Sequence, residues 1–459
     1  MTSRFTSVIA LVLLSACSIR GGPQLDQTTI PAAPDNWAAR PDLALTSIDQ
    51  APSFVENGWV KEFGDQALED AVAEAFAHNR NLQSVLAQLR AARAAMRVTR
   101  ADLFPQVNLS ASATDAENAA TVYDGAVAAS WEVDIWGRNL SLAKAGNAEA
   151  RAAVADFAAA RQALAATVTR AWYDRGAAKI SLNLANSDLD RRKDTLRITN
   201  ARFRAGLASR LDVRLAQVAT SNSEDRLEAA TRTARNAARA LEVLVGRYPS
   251  GDADGADDLI TPKPLPALAA PVSVLAGRPD LIAAEARVDA AGLRAQDARH
   301  AMFPQLTLRF DATTQSGSFG DLFDPRTYIN AISGGLLQPL FRGGALLAEA
   351  NRQGEQARAS LFDYAQLALV AFQEVEDRLD AEATLERQVE ASAKAAEEAR
   401  AAVGLTRSRY INGRSTIFDL INAQTTAIAS ETRAIEARRA KIENRVNLHL
   451  ALGDEPLAS

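Results

Sequence analysis

The sequence predicts a mainly α-helical protein that also carries a membrane β-barrel and is built from an internal tandem repeat. Three observations predict this fold class. The same landmarks occur twice in the same order, about 200 residues apart. Each copy contains two segments with a hydrophobic period of two, and then a helical stretch of about 66 residues without proline. Because helices of that length belong to coiled coils rather than compact domains, we expect one extended, duplicated unit.

Composition excludes several functional classes. Hydrophobic residues make up 47% of the 459 residues, which excludes a disordered chain and a bundle of membrane helices. A net charge of −5 argues against nucleic acid as a partner, since no basic excess exists to neutralise phosphates. One cysteine and three histidines exclude a disulfide framework, and His78, His300 and His449 lack ligand spacing and are expected at the surface or in helix packing. With no phosphate loop or nucleophile motif either, we expect no catalytic residues, no metal and no cofactor.

The N-terminus predicts export and a lipid anchor. Residues 1–16 carry one positive charge, then an apolar run too short to span a bilayer, which is the layout of a signal peptide. The segment Leu14-Ser15-Ala16-Cys17 resembles the bacterial lipobox, which implies that Cys17 is acylated and becomes the mature N-terminus. The alternative is a buried cysteine without a modification. By resemblance to such lipoproteins, Ser18 after the cysteine implies the outer membrane rather than the inner one. Residues 17–53 are rich in Pro, Gly and Thr, which predicts a tether.

Three landmarks define the repeat, and each occurs once in each half of the chain. They are Phe104-Pro105-Gln106 with Phe303-Pro304-Gln305, Arg202-Phe203-x-x-Gly206-x5-Asp212 with Arg409-Tyr410-x-x-Gly413-x5-Asp419, and Leu244-Val245-Gly246 with Ala451-Leu452-Gly453. We therefore predict repeats at residues 54–247 and 272–454. Residues 248–271, rich in Pro and Asp, are predicted to be a linker, and residues 455–459 a C-terminal tail.

Each repeat is predicted to begin with a helix and continue as a β-hairpin. The helices, at about residues 82–103 and 281–302, end at Phe-Pro because proline disfavours helix in the preceding residue. The hydrophobic period then changes from 3.6 to 2. The predicted strands are residues 107–114, 123–136, 306–311 and 328–341. About ten residues per strand suits a strand that spans a membrane.

The ends of these strands carry aromatic residues, which predicts contact with the membrane interface. The candidates are Phe104, Trp131, Trp136, Phe303 and Phe341. Two hairpins cannot close a barrel, and an unpaired edge in lipid costs several kcal/mol for each unmatched backbone group. Three chains would supply twelve strands, an even number in the known range. We therefore expect a homotrimer with four strands from each protomer.

Two long helices follow the hairpins, at about residues 139–204 and 345–411. Each would be roughly 100 Å long. Gly206 and Gly413 follow them and are predicted to reverse the chain as left-handed C-cap residues, before a second helix returns. The helices of all protomers are expected to pair as coiled coils and form a tube.

Five ordered motifs resemble those of a known family. The motifs are Trp59-x3-Phe63-Gly64-Asp65-x2-Leu68, Ser130-Trp131-Glu132-Val133-Asp134-Ile135-Trp136-Gly137-Arg138, Gly277-Arg278-Pro279-Asp280-Leu281, Gln338-Pro339-Leu340-Phe341-x-Gly343-Gly344 and the two Gly-x5-Asp turns. They closely resemble the outer membrane efflux (TolC-like) family, in its lipoprotein branch. The resemblance implies a homotrimeric channel-tunnel in which a twelve-stranded β-barrel joins a periplasmic helical barrel. It also implies that a periplasmic adaptor (membrane fusion) protein connects the trimer to an inner-membrane pump, of the resistance-nodulation-division type.

The resemblance further implies a gate at the periplasmic mouth. It places gating aspartates at Asp212 and Asp419, although an acidic residue early in a helix is also favourable with the helix dipole alone. This chain has Asn422 where the family carries another aspartate, which implies a weaker cation trap. Tyr410 matches the family's gate tyrosine, whereas Ser415 occupies the arginine position with Arg414 beside it. The turns at the two glycines would be the tips that face the adaptor.

The leading hypothesis is a passive exit duct for drugs or other small molecules, driven by a partner pump and embedded in outer membrane lipid. A second transport hypothesis is the exit duct of a type I protein secretion system, which has the same architecture. A third is a structural coiled-coil lipoprotein that connects envelope layers without conducting. The hairpins that end in aromatic residues argue against the third hypothesis, because such a tether needs no barrel.

Overall fold

The computed structural model describes residue 33 and residues 36–39, 45–46, 58–115, 117, 120–265, 268–269 and 271–454. The predicted signal peptide, Cys17 and the predicted C-terminal tail lie outside the described residues, and so does most of the predicted tether. The chain divides into two compact units. Of the described residues, those within 86–156 and 280–368 belong to the first, here the strand-bearing unit, and those within 33–85, 157–279 and 369–454 belong to the second, here the helical unit.

Eight α-helices account for most of the described residues, so the predicted mainly helical fold is confirmed. They are α1 (Gln66–His78), α2 (Arg80–Ala101), α3 (Arg138–Arg204), α4 (Arg210–Leu244), α5 (Pro271–Gly277), α6 (Pro279–His300), α7 (Ala345–Ile411) and α8 (Ile417–Leu452). Helices α3 and α7 are 67 residues each, as the absence of proline predicts. No helix among the described residues is both long enough and apolar enough to cross a membrane.

The helix boundaries correct several predictions. Helices α2 and α6 end two residues earlier than expected, because the residues before each Phe-Pro pair form a tighter turn: the Phe104 amide donates to the Ala101 carbonyl at 3.0 Å. Helix α1 was not predicted at all. It begins where the Asp65 carboxylate accepts from the amides of Ala67 and Leu68. The predicted linker ends one residue earlier than expected, since α5 begins at Pro271.

Four strands form one antiparallel sheet in the order β2-β3-β5-β6. They are β2 (Gln106–Thr114), β3 (Val122–Val133), β5 (Gln305–Ser316) and β6 (Ile329–Leu337), while the short β1 (Leu45–Thr46) pairs in parallel with β4 (Leu268–Ala269). The predicted extensions of β3 to Trp136 and β6 to Phe341 are wrong. After β3 the chain already turns into α3, with the Asp134 carboxylate accepting from the Leu140 amide at 2.8 Å.

The strand register gives this sheet one apolar face and one polar face. On the apolar face, Val107 lies opposite Ala129, which lies opposite Phe310, which lies opposite Ile332. The row beside it is Asn108, Ala128, Asp311 and Ala331 on the polar face. Alternation of this kind is what a sheet between lipid and water requires. Among the described residues, β2 and β6 each pair on one side only.

The two largest hydrophobic cores of the described residues lie in the helical unit, and one of them includes part of the predicted tether. The larger core packs around Trp59, Phe63, Leu68 and Tyr173. In the second, Trp37 is 1% exposed and packs among residues of α5, α7 and α8. The amides of the next two residues both donate to the Glu376 carboxylate at 2.7 Å. Residues 36–39 therefore do not behave as the free linker that their composition predicts.

Candidate functional site

Two helix-reversal turns in the helical unit hold most of the predicted site residues. Gly206, between α3 and α4, has φ of 73°, and Gly413, between α7 and α8, has φ of 74°. In each turn the amide of the residue after the glycine donates to a carbonyl of the preceding helix. The Leu207 amide donates to the Arg202 carbonyl at 2.8 Å, and the Arg414 amide donates to the Arg409 carbonyl at 2.8 Å. These are Schellman C-caps, which need a left-handed residue at the glycine position. The predicted left-handed C-caps are confirmed.

Both predicted gate aspartates close a capping box at the start of the returning helix. The Asp212 carboxylate accepts from the Ser209 amide at 2.7 Å, and the Ser209 hydroxyl accepts from the Asp212 amide at 3.2 Å. The Asp419 carboxylate accepts from the Thr416 amide at 2.9 Å and from the hydroxyls of Thr416 and Ser415 at 2.7 and 3.0 Å. In both, these bonds use Oδ2, and Oδ1 accepts no hydrogen bond from the described residues. Each aspartate therefore stabilises its turn and keeps one oxygen available for another partner.

The electrostatics of the second turn keep its carboxylate ionised. Hydrogen bonds from the Thr416 backbone and side chain, and from Ser415, hold the pKa of Asp419 below its usual value of 3.8, and the charge of Arg409 adds to the effect. Asp419 is exposed. It therefore carries a negative charge at neutral pH.

Of the other predicted gate residues, one is buried and two are exposed. Tyr410 is 3% exposed and packs with Ile417 and Leu420. Its hydroxyl lies 3.0 Å from the Thr199 hydroxyl of α3 and not against Asp212 within the same chain. Arg414 and Asn422 are exposed. The tyrosine thus joins α7 to α3, and the other two side chains point away from the core of the chain.

Exposed apolar side chains surround both turns. They include Leu207 and Leu211 at 66% exposure and Phe418 at 61%. Exposed leucine and phenylalanine at a turn that polar groups already cap need an explanation outside the chain, because they contribute nothing to its own core. The turns therefore carry both fixed negative charge and an apolar surface.

The five predicted interface aromatics lie in the strand-bearing unit, on a strand or beside a strand end. They are Phe104, Trp131, Trp136, Phe303 and Phe341. The Trp136 indole donates to the Pro304 carbonyl at 2.8 Å, and its ring lies 5.2 Å from that of Phe303. Phe104 and Phe341 are 64% and 88% exposed. A bound polar tip and an exposed apolar ring suit the interface between lipid and water.

Sequence reasoning missed a buried charge cluster in the helical unit. The Arg445 guanidinium, 1% exposed, contacts the carboxylates of Glu62 and Glu382, each at 2.5 Å. The fully buried His449 contacts Glu62 at 2.7 Å through Nε2 and Asp454 at 2.9 Å through Nδ1. Because both partners are carboxylates, the contacts favour a protonated imidazole that donates from both ring nitrogens. The cluster joins the first described helical turn of the chain to its last helix.

In this cluster, burial disfavours the charged forms of the side chains and pairing with opposite charges favours them, and the effect of pairing on the pKa values is the larger one. Burial disfavours charge, but hydrogen bonds to Asp454 and Glu62 raise the pKa of His449 above its usual value of 6.5. Burial likewise disfavours the Glu62 carboxylate, yet the hydrogen bond and charge of His449 and the charge of Arg445 lower its pKa below 4.5. The indole of Trp59 stacks on the imidazole with ring centroids 5.4 Å apart. Among the described residues, no group of three or more acidic, histidine or cysteine side chains is placed to hold a metal ion.

A sheet with one apolar and one polar face, very long helices and capped turns are together typical of a channel-forming membrane protein. A family model described as outer membrane efflux protein matches residues 71–247 and 270–454, and the chain belongs to this family. It is therefore an outer membrane efflux protein, in a family of channel-forming proteins rather than enzymes.

Curated relatives and solved structures match over almost the full length. The pyoverdine export outer membrane protein OpmQ of Pseudomonas aeruginosa is 29% identical over 470 residues, covering 97% of this chain and 95% of the relative. The toluene efflux pump outer membrane protein TtgF of Pseudomonas putida is 28% identical, covering 99% of this chain and 97% of the relative. The open state of the Neisseria gonorrhoeae MtrE outer membrane channel superposes with a TM-score of 0.77 at 26% identity, covering 92% and 97%.

Proposed function

We propose that the protein is the passive exit duct of a tripartite efflux system, a homotrimer that carries small molecules across the periplasm and the outer membrane. The observation that carries this proposal is the sheet β2-β3-β5-β6, which has an apolar face, a polar face and two edges that no described strand pairs with. Unpaired backbone groups are not tolerated in lipid. The sheet therefore needs strands from other copies of the chain on both sides.

Strand number favours three copies. Two copies would supply eight strands, which enclose a space that side chains fill. Three copies supply twelve strands and leave room for a duct. The polar face would line it, with the Arg309 guanidinium 2.9 Å from the Asp311 carboxylate and the Gln315 amide donating to Asp124 at 2.9 Å. These pairs keep the charged groups of the sheet satisfied on the water side.

The two turns would form the periplasmic gate. In a trimer, Asp212 and Asp419 each occur three times around the axis, and rings of like charge attract cations and repel anions. The Oδ1 atoms would stay available to a cation while Oδ2 holds the turn. Asn422 adds no charge to the ring, which keeps the cation preference moderate. Arg414, exposed in the second turn, would be one cationic partner for a carboxylate of a neighbouring chain.

Partners would dock at the same turns. The exposed Leu207, Leu211 and Phe418 beside Gly206 and Gly413 provide an apolar surface for a periplasmic adaptor, which would link the duct to an inner-membrane pump. The names of the relatives refer to export of pyoverdine and efflux of toluene, which favours small molecules over secreted proteins as cargo. The pump would supply the energy, since the duct only provides the path.

The N-terminal anchor is part of the proposal. Acylated Cys17 would hold the chain in the outer membrane in addition to the barrel, and two attachments give stable anchoring where a single acyl chain does not. Trp37, packed in its core of the helical unit, would then mark where the tether meets the folded protein.

Native mass spectrometry of the protein extracted from membranes tests closure and anchoring together. We expect assemblies of three chains, each carrying the added mass of acyl groups on Cys17. Cys17→Ala is the matched control, and it should lose the acyl mass while the three-chain assembly persists. Monomers and dimers alone would contradict the closed barrel, and wild-type chains without acyl mass would contradict the anchor.

A further inference from the structure

Arg202, near the end of α3, makes more contacts with the second turn than with its own. Its Nη1 donates to the carbonyls of Tyr410 at 2.7 Å and Ile411 at 2.9 Å, at the end of α7. Its Nη2 donates to the Leu207 carbonyl of the first turn at 3.3 Å. The guanidinium carbon also lies 4.9 Å from the centre of the Tyr410 ring. One turn earlier, Thr199 bonds the hydroxyl of that tyrosine, so α3 holds it at both ends.

These contacts are chemically strong for so small a region. The last carbonyl groups of a helix lack intrahelical donors and carry partial negative charge. A guanidinium has five donors in a rigid, planar fork, so it can bond two of these carbonyls and a third on another segment while it stacks on an aromatic ring. A lysine ammonium keeps the charge but cannot reproduce the fork or the stacking. The arrangement therefore depends on arginine rather than on positive charge alone.

The equivalent residue of the second repeat does not do the same. Arg409 matches Arg202 in the motif before its own turn. It is exposed, and its side chain makes no hydrogen bond or ion pair with the described residues. The motif arginine of the first repeat thus contacts the second turn, whereas the motif arginine of the second repeat does not contact the first turn. Duplication alone does not explain this asymmetry, which indicates a role particular to Arg202.

We propose that Arg202 is a positioning residue of the gate, which clamps the α7–α8 turn to the α3–α4 turn so that the two turns of each chain move as one. The inference rests on the proposed gate function of these turns. With the clamp in place, Asp212 and Asp419 cannot leave the mouth of the duct separately. Without it, the second turn moves alone, and its exposed Asp419 and Phe418 lose their fixed position.

Hydrogen–deuterium exchange and conductance of Arg202→Lys, measured on one preparation of the full-length assembly, test the clamp. We expect the amides of Gly413 and Arg414, which hold the second turn, to exchange about tenfold faster than in the wild type. The body of α7 should exchange as before. In a planar bilayer the same variant should show a larger mean conductance. The control is Arg204→Lys, since Arg204 is exposed and makes no hydrogen bond or ion pair with the described residues.

The outcomes separate the clamp from the duct. Unchanged exchange at the second turn in Arg202→Lys would overturn the clamp. Faster exchange with unchanged conductance would also overturn it, because a local structural contact would suffice. The same acceleration in Arg204→Lys would show an effect of the helix end and not of the clamp, and would refute it. Absence of any current from the wild type would instead refute the proposed function, and the exchange arm distinguishes the two because it needs no bilayer.

Discussion

Replacing Asp212 and Asp419 together by alanine is expected to raise the conductance of the reconstituted channel several-fold and to lower its preference for cations. Each carboxylate closes a capping box, so alanine removes the bonds that hold the first turns of α4 and α8. Losing such a cap costs about 0.5–2 kcal/mol for each helix. The same change removes the negative charge that favours cations. Current and reversal potential in a planar bilayer measure both effects.

Two pairs of variants separate the cap from the charge. Asp212→Asn with Asp419→Asn keeps an accepting oxygen and removes the charge, so cation preference should fall while the turns stay closed. Ser209→Ala with Thr416→Ala removes the hydroxyls that the helix amides use and keeps both charges, so conductance should rise while cation preference persists. If the alanine pair at the aspartates conducts like the wild type, these turns are not the gate.

The second large effect is expected from the buried charge cluster, where His449→Gln should strongly lower the thermal unfolding midpoint. Glutamine removes the charge that both Glu62 and Asp454 pair with, and it leaves the two carboxylates without their common partner. Breaking a buried ion pair by removing one member costs about 3–5 kcal/mol. The cluster also joins distant parts of the chain, so its loss should weaken the helical unit as a whole.

The effect of this variant should depend on pH, with a defined sign. The pKa of His449 is raised in the folded chain, so its contribution is fully present below the unfolded value of 6.5 and is lost as pH rises through the folded value. The pKa of Glu62 is lowered, so its contribution is present above 4.5 and is lost as pH falls through the folded value. The difference in thermal unfolding midpoint between the wild type and His449→Gln should therefore be largest between about pH 5 and pH 6.5, and it should decrease toward pH 9.

Thermal unfolding at pH 6 and pH 9 measures this difference. His78→Gln is the matched control, because it removes an exposed histidine that forms no ion pair with the described residues. Its thermal unfolding midpoint should equal that of the wild type at both pH values. A gap between wild type and His449→Gln that is equal at pH 6 and pH 9 would show that the imidazole acts through packing and not through charge.

The long helices and the hairpins could be predicted because their signals are local and periodic. Strand β2 alternates apolar and polar residues because one face of its sheet is apolar and the other polar, and α7 begins and ends at the predicted residues. The boundaries were less accurate where a side chain ends an element, as Asp134 does after β3. Helix α1 was missed because its start depends on a cap at Asp65 rather than on a long periodic run.

The charge cluster and the Arg202 contacts could not be predicted, for a physical reason. Glu62 and His449 lie 387 positions apart, and no local period indicates that they meet. Arg202 and Arg409 occupy the same place in a repeated motif, so the sequence treats them alike, yet one is bonded to the opposite turn and the other is exposed. Duplicated motifs predict shared backbone geometry, whereas side-chain partners depend on packing that is not symmetric.

The central claim, that the chain forms a passive duct through an amphipathic barrel, is tested most directly by current through planar bilayers that contain the purified protein alone. A passive duct gives ohmic conductance steps without any partner protein, nucleotide or proton gradient. Two neighbouring residues of β6 provide the matched variants, since Ile332 lies on the apolar face and Ser333 on the polar face. Arginine on a lipid-facing strand position costs about 2–4 kcal/mol near the bilayer midplane, so Ile332→Arg should abolish the steps and Ser333→Arg should keep them. Absence of steps from the wild type, or equal loss in both variants, would contradict the claim.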